Sequence, residues 1–490
     1  MIAETSRTEI DRIIAAATTA AAQLAVTTPG ERARWLDAAA DALEKAADEL
    51  VPLAARETHL PERPRLRSEL LRTVFQLRLF GQVLTDGEFL DATIDHADPD
   101  WPMGARPDIR RTVVPIGPVL VFTASNFPFA LSVAGHDTAA ALAAGCPVVV
   151  KAHPGHPELS VRTRDILVEA LTAAGAPTGT FDLLCGVEAG RTALRHPDIA
   201  AASFTGSEAG GRALFDIANA RPRPIPFYGE LGSVNPVVVT LGAVKARGPE
   251  LAEGFASSFT LGAGQFCTKP GLLLLPEGHG LDETLCAAVA SVPGQAMLNE
   301  RITDGYRSGR EQLREHPAVT VLSEPGPADD PIRPTLLKVR ADDFMKSAES
   351  LAVECFGPVS LIVEYADEAE LRAVLGVLKP GLTATVHAQE SESDMVRTLL
   401  PALTRLAGRL IWNGWPTGII LSWAQHHGGP YPATTAPVFT SMGTAAIARF
   451  LRPVAWQGFP DALLLPPLRE TNPWQLSRRI NGIRVTPADG

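Results

Sequence analysis

Short apolar runs alternate with helical stretches from residue 113 to about 241, and this pattern restricts the fold more than any other feature. Runs such as CPVVVK and PVVVTL have the length of buried strands, and PELSVRTRDILVEALTAAG between them has helical spacing. Strands separated by helices of about 10–15 residues form βαβ units around a parallel sheet. Because the pattern resumes after residue 255, in LLLLP and VSLIVEY, the sequence predicts two doubly wound α/β domains with a boundary near residue 235.

The remaining segments have other patterns. Residues 1–95 have apolar positions at three- and four-residue spacing and are predicted to be mostly helical. Residues 97–116 are interrupted by prolines and a glycine, which predicts a projecting loop or hairpin. VVPIGPVLVF, residues 113–122, is predicted as one strand, and the tail at 464–490 contains a strand candidate at NGIRV.

Composition excludes several classes of protein. The chain has 490 residues, of which 46% are hydrophobic and 20% charged, and this excludes a disordered or fibrous protein. A net charge of −11 without a basic block argues against nucleic-acid binding. No apolar run approaches the roughly 20 residues of a membrane span, and the charged N-terminal stretch is typical of an amphipathic helix, not of a signal peptide. We therefore expect no nucleic-acid and no membrane partner.

Cysteine usage and motif content indicate the compartment and exclude common sites. The five cysteines are widely spaced and form no CxxC pair, which indicates neither a disulfide framework nor a zinc site and suits a reducing, cytoplasmic compartment. The histidine pairs His153–His156 and His426–His427 have no further ligands at metal-binding spacing, so no metal is expected. The GxGxxG fingerprint of dinucleotide-binding proteins is absent.

Cys267 and Glu230 are candidates for catalysis. Cys267 follows Gly262-Ala263-Gly264, and glycines permit the exposed, tightly turned backbone that a nucleophilic thiol requires. Glu230 lies in an apolar, glycine-flanked turn, where burial is expected to raise its pKa and to suit it for general base catalysis. Taken singly, each residue fits a plainer interpretation better: a small buried side chain for the cysteine and an exposed turn residue for the glutamate.

Residues at strand ends are candidates for ligand binding. Lys151 ends a buried strand, and open α/β sheets bind ligands at the carboxyl ends of their strands. Gly206 and Ser207 lie where a strand passes into a helix, so that a phosphate can approach free backbone N–H groups. Asn126 follows another strand, and its amide can donate to an oxyanion. An exposed lysine, an ordinary helix cap and a simple turn explain the same residues individually.

The order of the motifs along the chain is more specific than any one of them. Asn-Phe-Pro, Val-Val-Val-Lys, Phe-Thr-Gly-Ser, Glu-Leu-Gly-Ser-Val-Asn-Pro, Gly-Gln-Phe-Cys-Thr, Glu-Cys-Phe-Gly-Pro and Trp-Asn follow one another. In this order they resemble the aldehyde dehydrogenase superfamily, from about residue 10 to 485. The resemblance implies an enzyme that oxidises a small-molecule aldehyde to a carboxylic acid and transfers a hydride to NAD or NADP.

The resemblance also implies roles for individual residues. Cys267 is expected to be the nucleophile, Asn126 with the Cys267 N–H the oxyanion hole, and Glu230 the base that activates water. Glu354 is expected to hold the nicotinamide ribose, and Lys151 the adenosine ribose. The residues expected to contact the cofactor are Lys151, Ser207, Gly206, Glu354, Thr123, His153 and Arg191.

One departure from the family pattern concerns the cofactor. Pro154 fills the position of the glutamate that usually binds the adenosine ribose, and without this carboxylate a 2′-phosphate is no longer repelled. We therefore expect NADP to be accepted or preferred, with NAD as the alternative. Arg191 is a candidate partner for the 2′-phosphate, since a guanidinium matches phosphate geometry.

Further segments resemble one branch of the family, which contains 2-oxoglutarate semialdehyde (2,5-dioxopentanoate) dehydrogenases and an NADP-dependent fatty aldehyde dehydrogenase. They include KAHP at 151–154, PFYGELGSVNP at 226–236 and HGGPYPAT at 427–434. The leading hypothesis is oxidation of 2-oxoglutarate semialdehyde to 2-oxoglutarate with NADP. The bulky, apolar segment 418–425 favours a fatty or aromatic aldehyde as the alternative. A catalytically silent binding protein and a CoA-acylating enzyme are less favoured, because Cys267, Glu230 and Asn126 are all present.

Finally, the resemblance implies three parts for each subunit and assembly into a homodimer or homotetramer. The expected parts are a cofactor-binding domain (1–96, 117–234 and 432–463), a catalytic domain (235–431) and a small β oligomerisation arm (97–116 and 464–490).

Overall fold

Three β-sheets surrounded by helices make up the described part of the protein, which is a computed structural model covering residues 2–326 and 331–486. The strands in chain order are β1 (Thr93–Asp95), β2 (Ile109–Pro115), β3 (Val119–Phe122), β4 (Val148–Lys151), β5 (Phe181–Leu184), β6 (Ala201–Thr205), β7 (Phe227–Glu230), β8 (Pro236–Val239), β9 (Leu272–Pro276), β10 (Thr320–Ser323), β11 (Thr335–Arg340), β12 (Val359–Tyr365), β13 (Gly381–His387), β14 (Ala407–Trp412), β15 (Leu451–Gln457), β16 (Arg478–Ile480) and β17 (Ile483–Val485).

The α-helices cover these sheets. They are α1 (Arg7–Leu24), α2 (Pro29–Lys45), α3 (Ala47–Thr58), α4 (Arg67–Asp86), α5 (His136–Ala144), α6 (Pro157–Ala173), α7 (Val187–Arg195), α8 (Glu208–Asn219), α9 (Leu241–Thr260), α10 (Asp282–Ala290), α11 (Glu300–Arg314), α12 (Ala341–Lys346), α13 (Ala348–Leu351), α14 (Glu368–Val377) and α15 (Ser393–Leu406). Among the described residues, no helix is long and apolar enough to span a lipid bilayer.

The first large sheet is parallel and has the strand order β5-β4-β3-β6-β7. Along β3, Val119 and Val121 belong to the core that contains α2, α4, α5 and α6, whereas Leu120 and Phe122 belong to the core on the side of α7 and α8. Successive side chains of a strand point to opposite faces, so both faces of this sheet are apolar and both are covered by helices. This confirms the predicted doubly wound α/β class.

The switch point of this sheet lies between β3 and β6. From β3 the chain adds β4 and β5 on one side and then β6 and β7 on the other. In open α/β sheets a ligand crevice forms where the strand order reverses, outside the carboxyl ends of the strands. Lys151 ends β4, Glu230 ends β7 and Ser207 follows β6, so these three candidates lie at that end of the sheet.

The second large sheet has the order β10-β11-β12-β9-β8-β13-β14. Its strands are parallel except for β10, which pairs antiparallel with β11. It is also buried on both faces, because Val238 belongs to one core and its neighbours Val237 and Val239 to the other. Cys267 lies in the connection between α9 and β9, shortly before β9 begins.

The third sheet differs from the predicted arm in its boundaries. Its order is β15-β2-β1-β16-β17, so it includes β1 and β15, which the sequence interpretation placed in the cofactor-binding domain. β15 pairs antiparallel with the whole of β2, so residues 451–457 belong to this third sheet. Residues 487–490 of the predicted arm lie outside the described residues.

The prediction of one strand at 113–122 was wrong. β2 ends at Pro115 and β3 begins at Val119, and the two strands lie in different sheets. Gly117 between them has a φ of 123°, a backbone conformation that a glycine adopts without steric cost and that interrupts an extended strand. An apolar run alone does not show this division.

Candidate active site

A strained turn and one buried asparagine hold the Cys267 loop. Gly262, Ala263 and Gly264 all have positive φ angles of 56–66°, so the chain turns tightly between α9 and Cys267. The Asn235 side chain donates to the carbonyl oxygens of Cys267 at 2.8 Å and of Lys269 at 3.0 Å. The Asn235 Oδ1 in turn accepts bonds from Ser233 and Thr383 in neighbouring segments. The loop is therefore fixed at the cysteine and after it, through Asn235, to the segment before β8 and to Thr383 in β13.

Cys267, His427 and Glu230 come together in a buried cluster. The Cys267 Sγ lies 3.5 Å from the His427 Nε2, and the same Nε2 lies 2.8 Å from the Glu230 Oε1. The Ser441 hydroxyl donates to the other Glu230 oxygen at 2.6 Å. Glu230 is 3% and His427 1% exposed, so both are shielded from water. The sequence interpretation considered His427 only as a possible metal ligand and did not single out Ser441.

The pKa values of this cluster differ from the sequence expectation. Burial alone raises the pKa of Glu230, as expected, but the charge and hydrogen bond of His427 and the bonds of Ser441 and Cys267 outweigh it. The pKa of Glu230 is therefore lowered, and the expectation of a raised value was wrong. Burial raises the pKa of the Cys267 thiol well above its usual range, and the Glu230 carboxylate raises it further. At rest the carboxylate is charged and the thiol is neutral.

Asn126 lies beside the Cys267 loop. Its side-chain amide donates to the carbonyl oxygen of Gln265 at 3.0 Å, two residues before the cysteine. An amide group carries two N–H donors, so one remains for an oxygen bound near the thiol. The backbone carbonyl of Asn126 accepts a hydrogen bond from the Arg65 guanidinium at 2.8 Å, and Arg65 pairs with the buried Glu69. Sequence analysis identified Asn126 but neither of the two residues that hold its loop.

The start of α8 offers exposed backbone donors. Ser207 is the N-cap of this helix, and its hydroxyl accepts a bond from the Gly210 N–H. Gly206 and Ser207 are exposed, at the end of β6. The Gly206 N–H is already bonded to the Glu230 carbonyl at 3.1 Å, so it is not one of the free donors. A helix N-terminus that opens onto a crevice suits a pyrophosphate.

The remaining adenosine-side candidates gather at the end of β4. The Thr123 hydroxyl donates to the Lys151 carbonyl at 3.1 Å, and burial lowers the pKa of the Lys151 ammonium to about 8. A Cβ at Gly190 would lie 2.8 Å from the Lys151 Cγ, so only glycine lets α7 approach the lysine this closely. Arg191 follows in the same helix and pairs with Glu188 at 2.5 Å. Lys151 therefore keeps a positive charge at neutral pH, whereas the charge of Arg191 is paired with that of Glu188.

His153 has a different environment from the one expected. Its Nδ1 accepts a bond from the Gly155 N–H at 3.0 Å, and burial lowers the pKa of its ring well below the usual range. The ring is therefore neutral, with its proton on Nε2, and it carries no charge toward a phosphate.

Glu354 lies in the segment between α13 and β12. Burial raises the pKa of Glu354 to about 7, although the ammonium of Lys269 lies nearby. The Lys269 Nζ donates to the carbonyl oxygens of Cys355, Gly357 and Val359 at 2.7–3.0 Å and so fixes the segment that carries Glu354. The charges of Glu208, at the start of α8, and of Glu230 also raise the pKa of Glu354, so this carboxyl group lies near both.

Two groups of side chains place three metal-ligand atoms within 4.8 Å: Glu230, Cys267 and His427, and His279, Asp282 and Glu364. The second group is poorly suited to a cation. The Leu281 N–H donates to the His279 Nδ1 at 2.9 Å, so the ring proton lies on Nε2, the nitrogen that faces the carboxylates. Lys338 also pairs with Asp282 at 2.6 Å. The expectation of no metal stays a prediction.

Comparison with known proteins identifies the family of this chain. The profile of the aldehyde dehydrogenase family matches residues 1–429. Alpha-ketoglutaric semialdehyde dehydrogenase 2 of Azospirillum brasilense is 47% identical over 458 residues, which are 92% of this chain and 87% of that protein. Alpha-ketoglutaric semialdehyde dehydrogenase of Acinetobacter baylyi is 42% identical over 482 residues, 97% of this chain and 91% of that protein.

A solved structure with low identity shows the same fold. The crystal structure of NADP-dependent glyceraldehyde-3-phosphate dehydrogenase from Bacillus halodurans, complexed with NADP, has a TM-score of 0.76 at 21% identity. The match covers 93% of this chain and 92% of that chain.

Proposed function

Because this chain belongs to the aldehyde dehydrogenase family, we propose that it oxidises 2-oxoglutarate semialdehyde to 2-oxoglutarate with NADP as the hydride acceptor. The observation that carries the chemistry is the buried Cys267 thiol with His427 and Glu230 beside it. The substrate is supported by the two relatives at 47% and 42% identity, whose names specify this semialdehyde under its older name.

The first step needs the thiol proton to leave, because the resting thiol is neutral. Because an ionised carboxylate only accepts hydrogen bonds, the His427 Nε2 that faces Glu230 carries a proton. This N–H also faces the sulfur and stabilises the thiolate once the thiol proton has passed to water. The thiolate adds to the aldehyde carbon. The oxygen of the resulting thiohemiacetal accepts bonds from the free Asn126 N–H and the Cys267 backbone N–H.

The second step releases the acid. When NADP is bound, its nicotinamide takes the hydride, which leaves a thioester on Cys267. Glu230 then acts as the base that removes a proton from water attacking the thioester. The lowered pKa of Glu230 keeps the carboxylate ionised at neutral pH, so it is ready for this proton. Acid release without added CoA distinguishes this reaction from a CoA-acylating one.

The preference for NADP is supported by the residues around the adenosine end. Pro154 provides no carboxylate that would repel a 2′-phosphate, and Lys151 carries a positive charge at the end of β4. Arg191, which is paired with Glu188, follows Gly190, the residue that packs against Lys151. We expect kcat/KM to be higher with NADP than with NAD, and a strong preference for NAD would contradict this. A homodimer or homotetramer in the cytoplasm also stays part of the proposal, and sedimentation of the purified protein measures the assembly.

The substrate is tested by following the absorbance of the reduced nicotinamide with 2-oxoglutarate semialdehyde, a medium-chain aldehyde and benzaldehyde, each with NADP and with NAD. We expect the semialdehyde to exceed both apolar aldehydes by orders of magnitude in kcat/KM. Within the apolar 418–425 segment, Ile420 is 81% and Trp423 55% exposed, whereas Leu421 is buried against Leu79 and Met442. A higher kcat/KM with the apolar aldehydes would remove the proposed substrate and leave the aldehyde chemistry in place.

A further inference from the structure

The proposed substrate carries a carboxylate next to a 2-oxo group, and a buried site for it needs a positive charge. Three arginines lie around the Cys267 pocket: Arg65 and Arg72, which flank the Phe127 ring, and Arg409, whose charge acts on the thiol. The inference rests on the proposed function, and the hydrogen bonds of these three residues distinguish them.

Arg65 is committed to the protein itself. One end of its guanidinium pairs with Glu69, which is 3% exposed, and another nitrogen donates to the Asn126 carbonyl at 2.8 Å. Its Cζ lies 4.4 Å above the centre of the Phe127 ring. The charge is therefore compensated, and the side chain positions the loop that carries the oxyanion donor.

Arg409 is also committed. Its Nη2 donates to the Pro416 carbonyl at 2.6 Å and its Nη1 to the Gly418 carbonyl at 3.2 Å. These bonds hold residues 416–418 against β14. A substrate carboxylate would have to displace at least one of them, which would cost the hydrogen bond and loosen the segment.

Arg72 differs because its guanidinium makes no salt bridge and no hydrogen bond to a carbonyl oxygen among the described residues, although the charge of the Glu69 carboxylate acts on it. Its Nη2 lies 3.9 Å from the Met442 sulfur, a weak acceptor, and its Nε lacks a hydrogen-bond partner, as the Nε atoms of Arg65 and Arg409 also do. Its Cζ lies 5.8 Å from the centre of the ring of Phe127, the residue that follows Asn126 in the chain. The residue is close enough to Cys267 for the two charges to interact.

The surroundings of Arg72 strengthen any anion it binds. Met442 belongs to an apolar cluster with Leu79 and Leu421, flanked by Leu131 and Ile419. A charge-assisted hydrogen bond is stronger in such surroundings than in water, so an anion bonded to the partly buried guanidinium is held more tightly there than at the exposed surface. A guanidinium also presents donors in a planar fork that a carboxylate accepts in pairs.

We propose that Arg72 is the specificity-determining residue that binds the carboxylate of a 2-oxo-acid aldehyde while its aldehyde carbon lies at Cys267. Arg72 thus recognises the substrate carboxylate. Arg65 holds the loop that carries Asn126, and Arg409 holds residues 416–418. The site selects aldehydes that carry an acid group at the far end over neutral aldehydes of the same length.

The test compares Arg72→Met with the wild type on 2-oxoglutarate semialdehyde, glutaric semialdehyde and pentanal, all with NADP. Removing one partner of a buried, hydrogen-bonded charge pair is expected to lower the ratio of kcat/KM between the 2-oxo semialdehyde and pentanal by about 100-fold, mainly through KM. Arg72→Lys, which keeps the charge and loses the fork, should lower the ratio by about tenfold.

A matched control is available on the same helix. Arg78 also lies in α4, on the exposed side, where it pairs with Asp41 and Glu44 at 2.7 Å. Arg78→Met removes the same charge from the same helix and is expected to leave the selectivity unchanged. Thermal unfolding of each variant shows whether it folds, and if Arg72→Met does not, Arg72→Lys decides alone.

The outcomes separate this inference from the proposed function. If the wild type prefers acid-bearing aldehydes and both Arg72 variants keep that preference, the assignment of Arg72 is overturned and the substrate stands. If the wild type prefers glutaric semialdehyde and Arg72→Met loses that preference, the substrate falls and the carboxylate site stands. A wild type that treats acid-bearing and neutral aldehydes alike overturns both.

Discussion

Replacing Glu230 by glutamine should make Cys267 more reactive toward alkylation, even though it should slow catalysis. The Glu230 carboxylate lies beside the thiol and raises the pKa of the sulfur. Glutamine keeps the size and the hydrogen-bonding oxygen of the side chain but removes the negative charge. The thiol pKa should therefore fall, and a larger fraction of Cys267 should be thiolate at any pH below that value.

The size of the effect follows from the distance between the charges. The reacting atoms of Glu230, Cys267 and His427 lie within 4.8 Å of one another. At an effective dielectric constant of about 20, two unit charges at this separation interact by about 3.5 kcal/mol. This equals a pKa shift of roughly 2.5 units. Because a thiolate of lower pKa is also a weaker nucleophile, the net gain in alkylation rate is about 25-fold.

The assay is the rate of iodoacetamide labelling from pH 6 to 9 without substrate or cofactor. Cys267→Ala gives the background from the other four cysteines, all of which are free thiols. Glu354→Gln is the matched control, because Glu354 also raises the pKa of Cys267 but less than Glu230 does. We expect a clear acceleration and a lower inflection pH for Glu230→Gln, with a smaller change for Glu354→Gln.

The opposite result would refute the reasoning. If Glu230→Gln is labelled at the wild-type rate or more slowly, then Glu230 does not keep the proton on the resting thiol. It would instead be the base that ionises Cys267 before substrate arrives. Hydride burst measurements on the same variant separate the later role, since a kept burst with slow steady turnover shows that thioester hydrolysis has lost its base.

Three other substitutions test the remaining contacts. Cys267→Ala should abolish aldehyde oxidation while NADP still raises the thermal unfolding temperature; residual turnover near the wild-type rate would remove Cys267 as nucleophile. Ser441→Ala removes a hydrogen bond that lowers the pKa of Glu230, so this pKa should rise, and the acidic limb of the kcat–pH profile should move to higher pH by about one unit. An unmoved limb would mean that Glu230 does not control it. Lys269→Met leaves three carbonyl oxygens without their donor and should lower the free energy of unfolding in urea by about 3 kcal/mol; a loss below about 1 kcal/mol would contradict this role.

The fold was largely predictable because its strands can be recognised from the local sequence. Parallel strands buried on both faces need continuous apolar runs, and turn residues end these runs. The failures occurred where pairing partners decide the outcome. Nothing within LRPVAWQ, residues 451–457, shows that it will pair with β2. The division at Gly117 depends in the same way on two sheets that accept the two halves of one apolar run.

The candidate site was predictable only in part. Cys267, Glu230 and Asn126 each lie at a strand end or in a tight turn, and the resemblance to a family assigned their roles. His427 and Ser441 lack such local signals, since they meet Glu230 across 197 and 211 residues of sequence. Only the packing of the segment after 425 against β7 brings them to the carboxylate.

The error about Glu230 shows why a local environment does not determine the state of a buried acid. Its neighbours in sequence are apolar, and burial alone does raise the pKa of its carboxyl group. Three donors from distant segments reverse the sign, and the charge they stabilise then raises the pKa of Cys267. Two adjacent anions are costly in a buried site, so ionising one group suppresses ionisation of the other. Before substrate binds, the proton therefore lies on the sulfur and the Glu230 carboxylate is charged. The charged carboxylate can then accept a proton from the water that attacks the thioester.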